Sequence, residues 1–563
     1  MSGSLVFEKG PPDVKSSETE AAESSVESGA EKGDSHLLSL NSQHLHRKLG
    51  VKEVQLFALS AAIGTGIFVG IGKALPKAGP AGLLIGFLIW GTCMLAVNEC
   101  YAEMVVYMPV HSATITFGSK WVDEAFGFAM GWNYFLNMAL LVPFEIVAVS
   151  LMIGYWTDVM PAAAVVVIMM VIYLVLNVIS VSWFGAAEFY MGFFKILLAL
   201  ALTAYTFVTM VGGNPKHDVY GFRYWNEPGP FMDFLLDGST GRFLGVLAAI
   251  VQAGFNICGP EYLSMIAAET RDPRKVLKRA FGTFYIRIIL FFVGAALCVG
   301  ICIPSNDPTL AKVHDEGIST GAASPYVISM KNFGIAGLGS VVNAGILLSL
   351  ISAGNGLLFC AARTLHGMAV EGKAPKFFSY CTKNGIPYAH LALIILIWIG
   401  TDSETQILGS HGITVNLLVI MITANQLLNH FSVGLTYIFF YRAMKAQGVD
   451  RRTLPYVGRF QPYTSYLAVA SMFIMTFLIG FDLFIDYPKN WDIKYFFLNY
   501  SMLALYIVMF GGYKLLKRTK RVKAMEMDLA LGESKNEIET HEMLLEEKPM
   551  GLAEKILLKV LPM

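Results

Sequence analysis

The chain has 563 residues, of which 55% are hydrophobic and 15% charged, and its formal net charge at pH 7 is +0. A soluble globular protein carries about 25% charged residues, and a core of this size cannot bury such a surplus of apolar side chains. The composition therefore excludes a cytosolic enzyme, a nucleic-acid-binding protein and a secreted disulfide scaffold, and it indicates a protein of the lipid bilayer.

Residues 1–50 are rich in Ser, Glu and Gly. Such a segment cannot bury enough apolar surface to fold, which predicts a disordered tail. It also lacks the basic and short apolar regions of a cleavable signal, so we expect the first hydrophobic helix to direct insertion. Lys9, Lys15 and Lys32 are candidate ubiquitin acceptors and make ubiquitin ligase machinery an expected partner; three solvated lysines are an equally good interpretation.

A series of apolar stretches follows the tail. A helix that spans a membrane needs roughly 20 apolar residues, and most of these stretches reach that length. The sequence predicts an all-α polytopic membrane protein with twelve such helices, at about 54–76, 80–106, 125–153, 160–181, 184–211, 242–268, 281–303, 335–366, 388–401, 412–441, 465–486 and 495–516. The ninth stretch is the weakest, because its apolar part is too short to span alone.

Basic residues cluster after the sixth, tenth and twelfth stretches, at 271–279, 442–459 and 514–523. Short loops rich in Lys and Arg remain on the cytoplasmic side. With an even number of spans, this side holds both termini, and the loops 212–241 and 304–334 lie opposite.

The pattern divides the chain into a cytoplasmic tail (1–50), a transport core of ten helices (51–441), two further helices (442–516) and a cytoplasmic C-terminal tail (517–563). Near the end, residues 551–561 have short amphipathic character. Docking beneath the helices and a frayed tail are both open interpretations of that segment.

Glycines interrupt the first stretch in the run Ala62-Ile63-Gly64-Thr65-Gly66-Ile67-Phe68. Each glycine costs a helix interior about 1 kcal/mol, which favours local unwinding. Unwound backbone in hydrocarbon is tolerated only where it lines a cavity, and there its N–H groups can hold a carboxylate while its carbonyls accept from an ammonium. The alternative is a small-residue packing face.

A second interruption is predicted in the sixth stretch, in the run Phe255-Asn256-Ile257-Cys258-Gly259-Pro260-Glu261. Proline removes a helix donor and clashes with the preceding turn. The first and sixth helices are corresponding positions of two five-helix halves, and paired interruptions in such positions are typical of a transporter site. Together they predict a substrate cavity.

Among the ionisable residues within predicted spans, the candidates for a functional role are Glu103, Glu145, Glu188, Lys195 and Glu261. Charges inside a membrane are costly, so each is a functional hypothesis. A buried lysine can gain and lose a proton near neutral pH, which suits a proton-coupled carrier. The alternative for Lys195 is a static ion pair with Glu145 or Glu188. No Cys-x-x-Cys pair is present to suggest a zinc site, and no metal or cofactor is expected.

The chain resembles the fungal amino acid permeases of the amino acid–polyamine–organocation superfamily over about residues 50–530. The matching motifs are Ile63–Gly70, Gly79–Gly86, Gly131–Tyr134, Pro143–Ile146, Glu188-Phe189 with Lys195, Asp272–Lys275, Ser352–Asn355 and Gly372–Lys376. The resemblance implies a five-plus-five inverted repeat with two additional helices, and import of L-amino acids driven by protons across the plasma membrane.

The resemblance also implies roles for residues at the two interruptions. The substrate carboxylate is expected on the amides of Thr65 and Gly66, and its ammonium near carbonyls at Ala62, Ile63 and Cys258. Phe255 matches an aromatic gate, and Lys195 matches the family lysine that stands where sodium-coupled relatives hold an ion. Gly356 and Phe359 differ from the family pattern, in which hydroxyl groups occupy these places.

Several loop segments resemble the dicarboxylic amino acid permease branch, among them 212–215, 221–225 and 306–308. An importer is the leading hypothesis. An amino acid sensor, a selective permease or exchanger of dicarboxylic amino acids, and an obligate exchanger remain alternatives.

Overall fold

The computed structural model describes residues 49–60, 63–157, 159–178, 181–310, 324–382, 411–532 and 534–546. Regular structure in these ranges is helical, and an isolated parallel bridge joins Leu49 to Thr270. Eight helical spans within the described ranges are long and apolar enough to cross a membrane, and two of them, Gly238–Glu269 and Pro273–Cys302, consist of consecutive shorter helices. The predicted all-helical, multi-pass class is therefore confirmed.

The helices are numbered here in chain order along the described part of the chain. The first ten are α1 (Val51–Ser60), α2 (Thr65–Phe68), α3 (Leu75–Tyr107), α4 (Ala113–Phe117), α5 (Glu124–Ile153), α6 (Ala162–Val178), α7 (Val181–Met210), α8 (Arg223–Asn226), α9 (Gly238–Asn256) and α10 (Pro260–Ile266). They are followed by α11 (Pro273–Gly282), α12 (Phe284–Arg287), α13 (Gly294–Cys302), α14 (Pro325–Asn332), α15 (Leu338–Val370), α16 (His411–Ala446), α17 (Tyr463–Leu478), α18 (Ile493–Lys517) and α19 (Ser534–Glu546).

The eight candidate spans correspond to the second, third, fifth, sixth, seventh, eighth, tenth and twelfth predicted stretches. Two shorter apolar helices, Ala163–Asn177 and Tyr463–Leu478, correspond to the fourth and eleventh. The ninth stretch, the N-terminal tail to residue 48 and the segment 551–561 lie outside the described residues. The count of twelve and the inverted repeat stay predictions.

Both predicted interruptions are present. In the first stretch, α1 ends at Ser60 and helical structure resumes at Thr65, after extended backbone at Gly64. In the sixth, α9 ends at Asn256, and Gly259 has a φ of 146° immediately before α10. Only glycine adopts this φ without strain, and Pro260 at the first helical position needs no N–H partner.

Small residues allow the long helices to approach closely around these interruptions. A Cβ added at Gly86 of α3 would lie 2.7 Å from the Cβ of Ala249 on α9. Glycine at such a position lets two backbones pack directly, as is common between membrane helices. The interrupted segments lie at the centre of the packing, with α2 against α9 and α15, and α10 against α1, α3 and α15.

Candidate functional site

The two interruptions are in direct contact through glycines of the first stretch. A Cβ added at Gly66 would lie 2.8 Å from Asn256 Oδ1 and 3.2 Å from Asn256 Cα. A Cβ at Gly70 would lie 2.9 Å from the same Oδ1 atom. A larger residue at Gly66 would meet the backbone as well as the side chain of Asn256 and would push α2 away from the end of α9, whereas one at Gly70 would meet side-chain atoms of Asn256 and Gln252. Gly66, predicted from sequence as a site residue, thus sets this spacing.

A buried carboxylate lies against the first interruption. The Thr65 hydroxyl donates to Glu145 Oε2 at 2.5 Å, and the Thr65 backbone N–H interacts with the same carboxylate. Gly64 also approaches it closely, since a Cβ there would lie 3.2 Å from Glu145 Oε1. The Ile63 carbonyl accepts from the Ser349 hydroxyl at 3.3 Å. Helices α5 and α15 therefore supply partners for backbone freed at the interruption.

Lys195 of α7 is fully buried, and its charged neighbours are Glu188 and Glu145. Glu188 in turn accepts from Ser352 Oγ at 3.1 Å and from Asn355 Nδ2 at 2.8 Å, both on α15. One polar network thus runs from α2 through α5 and α7 to α15. The structure brings together Thr65, Glu145, Glu188 and Lys195, whereas the sequence offered Glu145 or Glu188 as a single partner of Lys195.

Glu261 of α10 lies apart from this network. Its Oε2 atom is 3.2 Å from His430 Nε2 on α16, and both side chains are buried. Cys258, at the second interruption, lies close enough to Glu261, Glu145 and Lys195 to interact with them electrostatically. Glu261 with His430 is therefore a pair distinct from the network of Thr65, Glu145, Glu188 and Lys195.

A narrow cavity opens beside the interruptions, with a volume of about 40 Å³, which is room for roughly three water molecules. Thr65, Gly70, Gln252 and Phe255 are among the residues that line it. The Phe255 ring meets the Phe144 ring edge to face, with centroids 5.4 Å apart. Ala62, the remaining predicted substrate contact, lies outside the described residues.

Glu103 and Phe359, both singled out in the sequence, make contacts that hold neighbouring segments together and do not line the cavity. Glu103 accepts two hydrogen bonds from Arg451 at 2.7 Å each, and one from the Gly458 backbone N–H. This interaction raises the pKa of Arg451, which lies in the loop before α17. Phe359 stacks on Phe184 with centroids 4.0 Å apart. These contacts join helices and do not reach the cavity.

His430 and the buried pair Arg363–Glu269 were not among the predicted charges. Arg363 Nε lies 2.7 Å from Glu269 Oε1, which connects α15 to the turn after α10. His430 and Arg363 fall in the predicted tenth and eighth stretches, so the cost of an ionisable residue within a span could have identified both.

The amino acid permease family model matches residues 53–526. The general amino acid permease AGP2 of Saccharomyces cerevisiae is 39% identical over 515 residues, covering 90% of this chain and 86% of that protein. The dicarboxylic amino acid permease of the same yeast is 33% identical over 489 residues, covering 86% and 79%. Among solved structures, the nucleobase–cation-symport-1 family transporter MHP1 has a TM-score of 0.48 at 14% identity, covering 88% of this chain and 97% of that one, a likeness too distant to carry a conclusion.

Proposed function

Since this chain belongs to the amino acid permease family, a family of transporters rather than enzymes, we propose that it imports L-amino acids across the plasma membrane together with protons, by alternating access. The observation that carries the proposal is the contact of Thr65 with Glu145, made at the point where two interrupted helices meet.

An amino acid zwitterion needs donors for its carboxylate and acceptors for its ammonium. We assign the carboxylate to the N–H groups of Thr65 and Gly66, and the ammonium to carbonyls of the interrupted segments, with Phe255 packing above the substrate. Unwound backbone offers such groups without a buried side-chain charge of its own. The residues assigned to the substrate are Ala62, Ile63, Gly64, Thr65, Gly66, Phe255, Cys258 and Gly259.

Proton coupling follows from competition for Thr65. Glu145 already accepts from the Thr65 hydroxyl, so an arriving substrate carboxylate would meet a second anion there. Two carboxylates sharing one site favour binding of a proton. A protonated Glu145 removes the repulsion, and its hydroxyl can donate to the substrate. Lys195 stands beside Glu145 as the next group able to hold the proton, and we place Glu261 with His430 further along the same route.

We further propose that both termini are cytoplasmic, because basic residues gather at one end of the helices. This orientation puts the N-terminal tail in the cytoplasm, where ubiquitin ligase machinery can reach Lys9, Lys15 and Lys32. It puts loops 212–241 and 304–334 on the opposite side of the membrane. The proposed organisation is a core of ten helices (51–441), followed by two further helices (442–516) between the two tails.

The experiment is uptake of a panel of labelled amino acids, at about pH 5 and about pH 7, in cells that lack their own permeases. We expect saturable accumulation that increases on acidification. Saturable binding without accumulation would instead identify a sensor. Counterflow that persists after collapse of the pH gradient, without net uptake, would identify an obligate exchanger. Transport limited to aspartate and glutamate would place the chain with dicarboxylic permeases.

A further inference from the structure

A second cavity of about 910 Å³ lies away from the interruptions, at the edge of the helical packing. Its walls are the C-terminal half of α3, the segment from α11 to α12, and the segment from residue 454 into α17. Tyr285 and Leu467 line it and are partly exposed, so the cavity is open on the side that faces away from the protein. No residue of the candidate functional site lines it.

One end of this cavity carries an excess of positive charge. Its basic lining residues are Lys275, Lys278, Arg279 and Arg459, and its acidic one is Glu99. Glu99 Oε2 already accepts from the Tyr456 hydroxyl at 3.0 Å and from the Arg459 backbone N–H at 2.8 Å. Lys275 is also paired with Asp272 at 3.6 Å. The four basic residues still exceed these two acids, and the exposed side chains of Lys278 and Arg459 contribute to the positive balance.

The other end of the cavity is apolar. Leu95 lies one turn before Glu99 on the same face of α3, and Leu467 of α17 also lines the cavity. The α3 face continues through Thr92, whose hydroxyl donates to its own helix at the Leu88 carbonyl, to the exposed side chain of Leu88. Phe460 is 81% exposed beside the opening, as suits a ring at the membrane interface.

We propose that this cavity binds an anionic phospholipid of the cytoplasmic leaflet, with the headgroup among the basic residues and an acyl chain along the α3 face. Basic pockets between helices on the cytoplasmic side are suited to such headgroups. A free phosphate would use the basic end alone and leave the apolar wall unfilled, which is why the geometry favours a lipid. The proposal rests on the membrane orientation given above, and it is independent of the transported substrate.

The test measures binding of dioleoyl phosphatidylserine to the purified full-length protein in detergent, with dioleoyl phosphatidylcholine as the neutral comparison. The Lys278→Gln/Arg459→Gln double variant removes two exposed charges from the basic end. Arg452→Gln is the matched control, because Arg452 is an exposed arginine of the same loop that does not line the cavity. We expect tighter binding of phosphatidylserine, and an affinity at least about tenfold lower in the double variant.

Equal binding of the two lipids, or equal loss in the Arg452→Gln variant, would overturn the proposal. Inorganic phosphate is the second probe: if it binds at the same charges and the lipids show no preference, the cavity is a free-anion site instead. Thermal unfolding of each variant shows that the protein remains folded. The lipid assay does not measure transport, so its failure would leave the transport proposal unaffected. Likewise, failure of the uptake experiment would leave the lipid-binding proposal unaffected.

Discussion

Lys195, Glu145 and Glu188 illustrate what an ionisable residue inside a membrane protein needs from its surroundings. The ammonium lies near two carboxylates, one held by Thr65 of α2 and the other by Ser352 and Asn355 of α15. A static ion pair would need only one acid. Glu145 is hydrogen-bonded to Thr65 of the interrupted helix, so a change in its protonation would alter the contacts at the place where the substrate is proposed to bind.

Replacing Lys195 by alanine tests this coupling. We expect Lys195→Ala to abolish the increase in uptake on acidification while surface abundance stays normal, because the group beside Glu145 that can exchange a proton is gone. The measurement is initial uptake rate against external pH, with surface labelling. Lys489→Ala is the control, since the Lys489 side chain is 80% exposed. An unchanged pH dependence in Lys195→Ala would mean that this lysine serves packing alone.

The sequence identified Glu145, Glu188, Lys195 and Glu261 because charge in a span is unusual whatever its partner. It also named Glu145 or Glu188 as a partner of Lys195, but it could not show that both acids lie near the ammonium, or that Thr65, 80 positions before Glu145, donates to that carboxylate. Nor did it pair Glu261 with His430, 169 positions away, because such contacts form only when the helices pack.

At the scale of elements, the two interruptions depend on contact between α2 and the end of α9. The sequence predicted both positions, because glycine and proline change backbone preferences locally. It did not predict that Asn256 would lie against Gly66, since this is a tertiary contact.

Gly66→Leu is expected to abolish substrate binding. The Cβ atom of the new side chain would lie 3.2 Å from Asn256 Cα as well as 2.8 Å from Asn256 Oδ1, and the rest of the leucine needs further room, so we expect α2 to shift and to carry the Thr65 and Gly66 amides with it. Equilibrium binding of labelled substrate to purified protein measures the effect. Gly512→Leu is the matched control, because a Cβ at this helical glycine meets open space. Normal substrate affinity in the Gly66→Leu variant would mean that the glycines of the first stretch serve helix packing and not substrate binding.

The buried pair Glu269–Arg363 is expected to hold α15 to the turn after α10. Removing one partner of a buried ion pair leaves an uncompensated charge, which typically costs about 3–5 kcal/mol. We therefore expect Glu269→Gln to lower the thermal unfolding temperature markedly. The Glu269→Gln/Arg363→Gln double variant should recover part of the loss, because no lone charge remains. A single variant as stable as the parent protein would contradict this assignment.

At the scale of the whole molecule, hydropathy predicted most spans because the length of an apolar helix is set by membrane thickness. The bounds agree within a few residues for α5 and α18, where caps such as Asp123 and Asp492 begin the helix. Orientation is a property of the entire chain in a bilayer, and neither helix bounds nor side-chain contacts determine it.

Introduced glycosylation sites test the orientation. Pro228→Thr creates an Asn-x-Thr acceptor at exposed Asn226, in a loop proposed to face outward. Gly532→Asn creates an Asn-Glu-Ser acceptor in the C-terminal tail, and asparagine tolerates the φ of 68° found there. Glycans attach only on the lumenal side, so we expect an endoglycosidase-sensitive mobility shift for the first variant alone. A shift for the second variant would invert the proposed topology.

The bridge at Leu49 has a consequence for how the molecule can move. The Leu49 N–H donates to the Glu269 carbonyl at 3.0 Å, and the Arg271 N–H donates to the Leu49 carbonyl at 2.9 Å. The chain just before α1 is thereby fastened to the chain just after α10. We therefore expect a displacement of the segment that precedes α1 to move the segment that follows α10 with it, because the two hydrogen bonds join them directly.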